Sequence, residues 1–287
     1  MNPWIRIIRP VNGLMGLIAT WISALIGVGY ALPSHTAAIL LASISVFMVT
    51  SAGNILNDIL DHETDKINHP DRPIPSGQIS IRSARIYAYS MFIAPIILVL
   101  PYTIIGVYSP FILLIVIVAE LLLISYETRT KNFGLSGNAT VSILVGLIFI
   151  YGGMAVGAVA SMVILFVLAS LSNFSRELIK DIEDVKGDVD RMTFPRKHGE
   201  KTAASIASVS IIAAIVISPF PYLVGIFSYP YLAAVAVADI IFLMSIHKTV
   251  LSPGRNQKYS KIAMIIALAA FVIGGISANI VIPTSII

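Results

Sequence analysis

Apolar residues run through this chain in nine long blocks separated by short polar stretches. The blocks lie near 11–31, 37–57, 84–106, 110–126, 137–157, 159–178, 202–219, 222–246 and 262–282. Each offers the roughly 17–25 mostly apolar residues that let a helix cross the hydrocarbon core of a bilayer. The pattern predicts an all-α, polytopic membrane protein with nine transmembrane helices. The first block follows Arg6 and Arg9 in the manner of a signal peptide. No small-residue cleavage site follows it, and eight further blocks do, so it is read as a retained span. Composition agrees with the pattern: 57% of residues are apolar and 12% charged, against about 45–50% and about 25% in a soluble domain. There is no cysteine, which excludes disulfides, thiol catalysis and cysteine-ligated zinc.

Nine spans make the connections alternate between two sides, and charge then sorts completely. All 19 Lys and Arg fall on one side, which the positive-inside rule assigns to the cytoplasm. The basic balance therefore reflects topology, and no nucleic-acid partner is implied. Every acidic residue lies on that side too, except Glu120 and Asp239, which fall within spans. The opposite connections, such as 106–109 and 218–221, are short and nearly uncharged. Chemistry is expected at the cytoplasmic face of a protein seated in the cell membrane.

Two acidic motifs occupy that face. Asn57-Asp58-Ile-Leu-Asp61-His-Glu-Thr-Asp65 follows span two, and Lys180-Asp181-Ile-Glu-Asp184-Val-Lys-Gly-Asp188 follows span six. Each places Asp at i, i+3 and i+7, and the copies are 123 residues apart. On an unbroken helix these carboxylates share a face about 60° wide. Asp58–Asp65 contains neither Pro nor Gly, which predicts a two-turn extension of span two. His69-Pro70-Asp71-Arg72-Pro73-Ile-Pro75-Ser-Gly77 can only be a folded loop, and Gly187 is expected to end or bend the second motif's helix. The chain reads as one domain over 1–287 with a parallel repeat of 11–126 and 137–246 and a ninth helix at 262–282. Gly153-Met-Ala-Val-Gly157 has the small-xxx-small spacing of a helix contact.

Two carboxylates about 5 Å apart repel by roughly 3 kcal/mol at an effective dielectric of 20, so two triplets call for cations. The five histidines show no ligand-like pairing. An all-oxygen donor set suits Mg²⁺, which takes one or two carboxylates and keeps water or substrate phosphate for its other positions. A metal bridging carboxylate and diphosphate makes the latter a better leaving group. Arg72, Lys131, Lys180 and Arg191 are placed to hold phosphate oxygens.

At these residues the chain resembles the UbiA superfamily of intramembrane prenyltransferases. The likeness rests on Asn-Asp-x-x-Asp-x-x-x-Asp followed by Arg72-Pro-Ile-Pro75-Ser-Gly77, and on the second Asp motif. It extends to Tyr126 five residues before Lys131 and to the opening Arg9-Pro10-x-Asn12. The resemblance implies nine helices around a central cavity, two Mg²⁺ ions and a prenyl diphosphate. It implies that Asn57, Asp58, Asp61 and Asp65 form one metal site and Asp181, Asp184 and Asp188 the other. Arg72, Lys131 and Lys180 would contact diphosphate, with Tyr126 near the reacting carbon. Ser175 to Asp188 and Gly137-Asn138 are similar to the archaeal geranylgeranylglyceryl phosphate geranylgeranyltransferases. That likeness implies geranylgeranyl diphosphate as donor and a lipid phosphate as acceptor, its phosphate bound by Arg9, Arg176 or the basic stretch 196–201. Aromatic-acceptor relatives share most of these motifs and are the alternative. A cation-coupled transporter is a different-class alternative, disfavoured because the acids cluster at one face and the repeat is parallel. The Asp-Gly-x-x-Ala-Arg start of CDP-alcohol phosphotransferases is absent.

Three further features carry expectations. Asp239, near the middle of span eight, either lines the cavity or bonds a neighbouring helix. Glu120, about 9 Å of rise from the end of span four, is near enough to turn towards the aqueous mouth. Trp4, Ile5, Ile7 and Ile8 interleave with Arg6 and Arg9, as an interfacial segment would.

Overall fold

The computed structural model describes residues 1–185, 193–246 and 252–281, and every regular element among them is helical. In chain order these are α1 (Pro3–Ile7), α2 (Pro10–Val28), α3 (Thr36–Leu60), α4 (His62–Asn68), α5 (Ile81–Ile104), α6 (Pro110–Thr128) and α7 (Leu135–Met154). Then follow α8 (Val159–Asp184), α9 (Phe194–His198), α10 (Glu200–Ile217), α11 (Phe220–Leu223), α12 (Tyr229–Ile246) and α13 (Pro253–Val281). Eight stretches are long and apolar enough to cross a membrane, and one of them, Pro10–Leu60, holds both α2 and α3. A 3₁₀ segment, Gly29–His35, reverses the chain between those two helices. Among the described residues the spans are therefore α2, α3, α5, α6, α7, α8, α10, α12 and α13, matching the nine apolar blocks.

Local chemistry sets the helix ends. Ser80 caps α5 by accepting a hydrogen bond from the Ser83 amide at 3.1 Å, and Ser109 precedes Pro110 at the start of α6, as N-terminal capping prefers. Within the spans, serine hydroxyls donate back to carbonyls four residues earlier, as Ser45 does to Leu41 and Ser142 to Asn138. No such hydroxyl then needs a partner from lipid.

Two span boundaries differ from the sequence reading. The eighth block, expected from 222, becomes helical as a span only at Tyr229. The intervening residues make a tight turn in which the Pro221 carbonyl accepts from the Ile226 and Phe227 amides, with Gly225 at φ 75°. The same turn precedes α6: the Tyr102 carbonyl accepts from the Val107 and Tyr108 amides, and Gly106 sits at φ 77°. The two turns lie 119 residues apart, and so do Glu120 and Asp239. The ninth span begins nine residues earlier than its apolar block, at Pro253, with three basic side chains along its first turns.

Helix packing depends on small residues. A Cβ at Gly146 would come within 2.7 Å of the Phe166 carbonyl oxygen, so α7 and α8 approach backbone to backbone there. The expected Gly153/Gly157 face does not form. Gly153 does pack on Met162, but Gly157 lies beyond the helix in a left-handed turn, φ 76°, with open space around it. The spacing is right, but the helix ends at Met154.

At the end of the bundle that carries the acidic motifs, Ile7, Ile55, Ile59, Ile74, Ile79, Ala84 and Ala88 form one buried cluster. It joins α1, the end of α3, the proline-rich loop and the start of α5. Each buried isoleucine is worth about 1.5–3 kcal/mol, so the loop bearing Arg72 is pinned against α3. On α1, Trp4 and Ile5 are exposed, but Ile7 is fully buried in this cluster.

Candidate active site

The first acidic motif is not one continuous helix. Helix α3 stops at Leu60, and Asp61 takes φ −92° and ψ 9° before α4 restarts at His62. Asp61, at this junction, makes two side-chain contacts. Its Oδ2 accepts from Asn57 Nδ2 at 2.8 Å and its Oδ1 from Lys131 Nζ at 2.7 Å. The backbone keeps its helical register across this junction, since the Asp61 amide donates to the Asn57 carbonyl and the Asp65 amide to the Asp61 carbonyl.

Asp58 and Asp65 stay together, and Arg72 of the loop lies between them. Its Nη1 is 2.5 Å from Asp65 Oδ2 and 3.5 Å from Asp58 Oδ1. Arg9 approaches from the other direction, with Nη2 2.5 Å from Asp58 Oδ1 and 3.2 Å from Asn57 Oδ1. Arg9 is the one non-glycine residue with positive φ among those described, at 48°. Positive φ is costly for a side chain of this size, and the residue before a proline ordinarily prefers extended backbone. The strain marks a backbone held by its surroundings, and the held group is the one that reaches Asp58. Arg6 continues the tether by donating to the Asp71 carbonyl and Gln78 Oε1. Exposed Glu63 pairs with Lys66, whose hydrogen bonds hold its carboxyl below the usual range, and with His62.

Lys131 follows α6 in a short 3₁₀ turn, Thr130–Asn132, and its ammonium is buried between Asp61 and Glu127, the latter at 3.3 Å. Glu127 also accepts from Asn57 Nδ2 at 3.0 Å. Sequence spacing did not single out Glu127. The available signal was an acid beside Tyr126 at the very end of an apolar span.

In the second motif, Lys180, Asp181 and Asp184 occupy the last turns of α8. Asn138 of α7 donates to Asp181 Oδ2 at 2.9 Å. Lys180 is half exposed and 4.0 Å from Glu177. Arg176, one turn earlier, bonds Glu177 Oε1 at 2.6 Å and Asn173 Oδ1 at 3.4 Å. Asp188, Arg191 and Gly187 lie outside the described residues.

A cavity of about 790 Å³ runs into the bundle from these elements. Asn12, Tyr126, Glu127, Arg176 and Lys180 line it at the charged end, while Val49, Leu144, Leu168, Leu268 and Phe271 are among its apolar walls. Asp239 satisfies both expectations: it lines the cavity and accepts from Ser218 Oγ at 2.6 Å. Glu120 does not reach the mouth. It is buried, and its Oε1 has no hydrogen-bond partner among the described residues. Long apolar walls with a charged rim suit a ligand that is greasy along most of its length and ionic at one end.

The donors at that rim are all oxygens, as a hard divalent cation prefers. Two carboxylate pairs already share a cation: Asp58 and Asp65 hold the Arg72 guanidinium, and Asp61 and Glu127 hold the Lys131 ammonium. Among the described residues no three acidic or histidine side chains converge on a point that would hold an ion unaided. A divalent cation at this rim would draw its other ligands from phosphate and water.

Comparison with known proteins accords with this geometry. The family model of UbiA prenyltransferases matches residues 17–276. The chain belongs to the UbiA prenyltransferase family. It is a multi-pass membrane prenyltransferase. A digeranylgeranylglyceryl phosphate synthase from Methanosphaera stadtmanae is 39% identical to this UbiA protein over 283 residues, covering 96% of this chain and 100% of the relative. A solved structure described as digeranylgeranylglyceryl phosphate synthase in membranes superposes with a TM-score of 0.82 at 32% identity, over 96% of this chain and 98% of that one. A UbiA homologue from Archaeoglobus fulgidus bound to GPP and Mg²⁺ shares the fold, with a TM-score of 0.65 at 14% identity over 94% and 99% of the two chains.

For this UbiA enzyme, Lys131→Ala is expected to weaken prenyl diphosphate affinity about tenfold or more, since a hydrogen bond to a charged group is worth about 1.5–3 kcal/mol. A binding titration with the variant checks this, and unaltered affinity would remove Lys131 from the site.

Proposed function

We propose that this enzyme transfers a geranylgeranyl group from geranylgeranyl diphosphate to the hydroxyl of geranylgeranylglyceryl phosphate, forming the second ether bond of an archaeal membrane lipid. The observation that carries prenyl transfer is the joining of a charged rim, built on Asp58, Asp61, Asp65, Arg9, Arg72 and Lys131, to a long apolar cavity. Full-length similarity to relatives named for that lipid product supports the acceptor. The segregation of every Lys and Arg to one side supports a cytoplasmic position for the rim. The matching turns before α6 and α12 support a single domain built on a parallel repeat.

In this reading Asp58, Asp61 and Asp65, with Asn57 beside them, hold one Mg²⁺, and Asp181, Asp184 and Asp188 hold a second. Bound magnesium neutralises diphosphate charge and makes it a better leaving group. Arg72, Lys131, Lys180 and Arg191 hold phosphate oxygens. Arg72 and Lys131 do so by exchanging part of their carboxylate contacts for phosphate. Arg9 and Asn12 order the rim from α2. The allylic carbon–oxygen bond breaks with its electron pair leaving on diphosphate, and Tyr126, on the cavity wall, faces the electron-poor carbon. The apolar walls keep water from that carbon. The acceptor hydroxyl oxygen then bonds to it, and the hydroxyl proton passes to the released diphosphate. Arg176 holds the acceptor phosphate.

The test is to supply labelled geranylgeranyl diphosphate with geranylgeranylglyceryl phosphate, 4-hydroxybenzoate and a naphthoate in parallel. Label in a digeranylgeranyl ether lipid is the expected result. Label in an aromatic product alone would overturn the acceptor assignment.

A further inference from the structure

Helices α8 and α13 run antiparallel, and their register at the charged end is fixed. Gln257 donates to the Glu183 carboxylate, and Gly254 lies against the same carboxylate, where a Cβ would fall 2.7 Å from Glu183 Oε1. One turn inward from Gln257 on α13 is Lys261. One to two turns inward from Glu183 on α8 are Lys180 and Arg176. A turn is about 5.4 Å of rise, so the three cations come to similar depth, and all three line the cavity.

Their charge is poorly matched. Glu177 is the one carboxylate within ion-pair distance of Arg176 and Lys180 among the described residues. Asp181, the next acid along α8, is engaged by Asn138 of α7. Lys261 has neither a hydrogen-bond nor an ion-pair partner among the described residues. At the α3–α6 side of the rim, by contrast, Arg9, Arg72 and Lys131 each pair with an aspartate. The cavity thus has one set of cations each paired with an aspartate, and across from it Lys261, which has no carboxylate partner among the described residues, beside Arg176 and Lys180, which share Glu177. An unpaired ammonium beside low-dielectric walls attracts an anion, and a lysine can extend its apolar stem along such a wall while its ammonium stays at the rim.

We infer that Lys261, together with Arg176, seats the phosphate of the lipid acceptor and so determines acceptor specificity. The assignment rests on the proposed transfer to a glyceryl phosphate lipid. It gives the two anionic substrates separate seats: diphosphate with the aspartates and Lys180, and acceptor phosphate deeper on α8 at Arg176 and across from it on α13 at Lys261.

The experiment uses the full chain in detergent or nanodiscs with geranylgeranyl diphosphate as donor. The acceptors are geranylgeranylglyceryl phosphate and its dephosphorylated form. Wild-type enzyme is expected to prefer the phosphorylated acceptor. Lys261→Ala should raise the KM for that acceptor about tenfold or more, the scale of a charge-assisted hydrogen bond, and erode the preference. The KM for donor should stay unchanged, and Lys261→Arg should recover most of the loss. An unchanged donor KM also reports a correctly folded variant. A preference intact in both Lys261→Ala and Lys261→Glu would overturn the assignment, as would a rise confined to the donor KM. Equal use of the two glyceryl acceptors by wild-type enzyme would overturn it while leaving ether-lipid synthesis standing. Prenylation of an aromatic acceptor with neither glyceryl lipid used would overturn both.

Discussion

Replacing Asp58 by alanine is expected to abolish prenyl transfer, by at least about 10²–10³-fold, the scale on which a single preorganised electrostatic contact counts in catalysis. Asp58 is 2% exposed and is the point where α1–α2, α3 and the proline-rich loop meet, through Arg9 and Arg72. Without it the carboxylate proposed to bind metal is lost and Arg9 is left without its ion-pair partner. Arg9 is one third exposed, so water offsets part of that loss and the protein should still insert and fold. Asp58→Asn keeps the shape and most hydrogen bonding but not the charge, and should be nearly as inactive. Turnover of labelled prenyl diphosphate, measured beside the yield of monodisperse protein, checks both variants. Activity within a few fold of wild type would remove Asp58 from the metal site.

Asp184→Ala is expected to cost a comparable factor through a different helix. Asp184 is partly buried in the last turn of α8, and its loss leaves the Arg9–Asp58 and Arg72–Asp65 pairs in place. If both motifs act on one metal–diphosphate group, the double variant Asp58→Ala/Asp184→Ala should be scarcely slower than either single one. Residues that act as a unit are strongly non-additive. Turnover of the three variants side by side reads this directly. Losses that multiply would mean that the motifs work independently.

What could be read along the chain and what could not divide on a physical line. Contiguous pattern revealed the spans, because lipid demands an unbroken apolar run, and charge sorting fixed their alternation. Spacing within one segment picked out Asp58, Asp61 and Asp65, and adjacency to Tyr126 marked Lys131. Spacing could not show which cation each aspartate meets: Lys131 lies 70 residues from Asp61 in sequence but 2.7 Å away in space. Partnerships between helices have no local signal. Glu127 bonding Asn57, Asn138 bonding Asp181 and Lys261 meeting the level of Arg176 depend on register between spans, which packing at positions such as Gly146 decides. Gly153 and Gly157 show the same limit from the other side, since their spacing outlasts the helix that would have given it meaning.

The central claim is that the acidic motifs bind prenyl diphosphate through divalent cations. Its most direct test is the affinity of the purified protein for geranylgeranyl diphosphate with Mg²⁺ present and with EDTA, in wild type, Asp58→Ala and Asp184→Ala, with no acceptor added. The expected result is tight binding by wild type with Mg²⁺, at least about tenfold weaker binding in EDTA, and weak binding by both variants in either condition. Equal affinity with and without Mg²⁺ in all three proteins would contradict the claim.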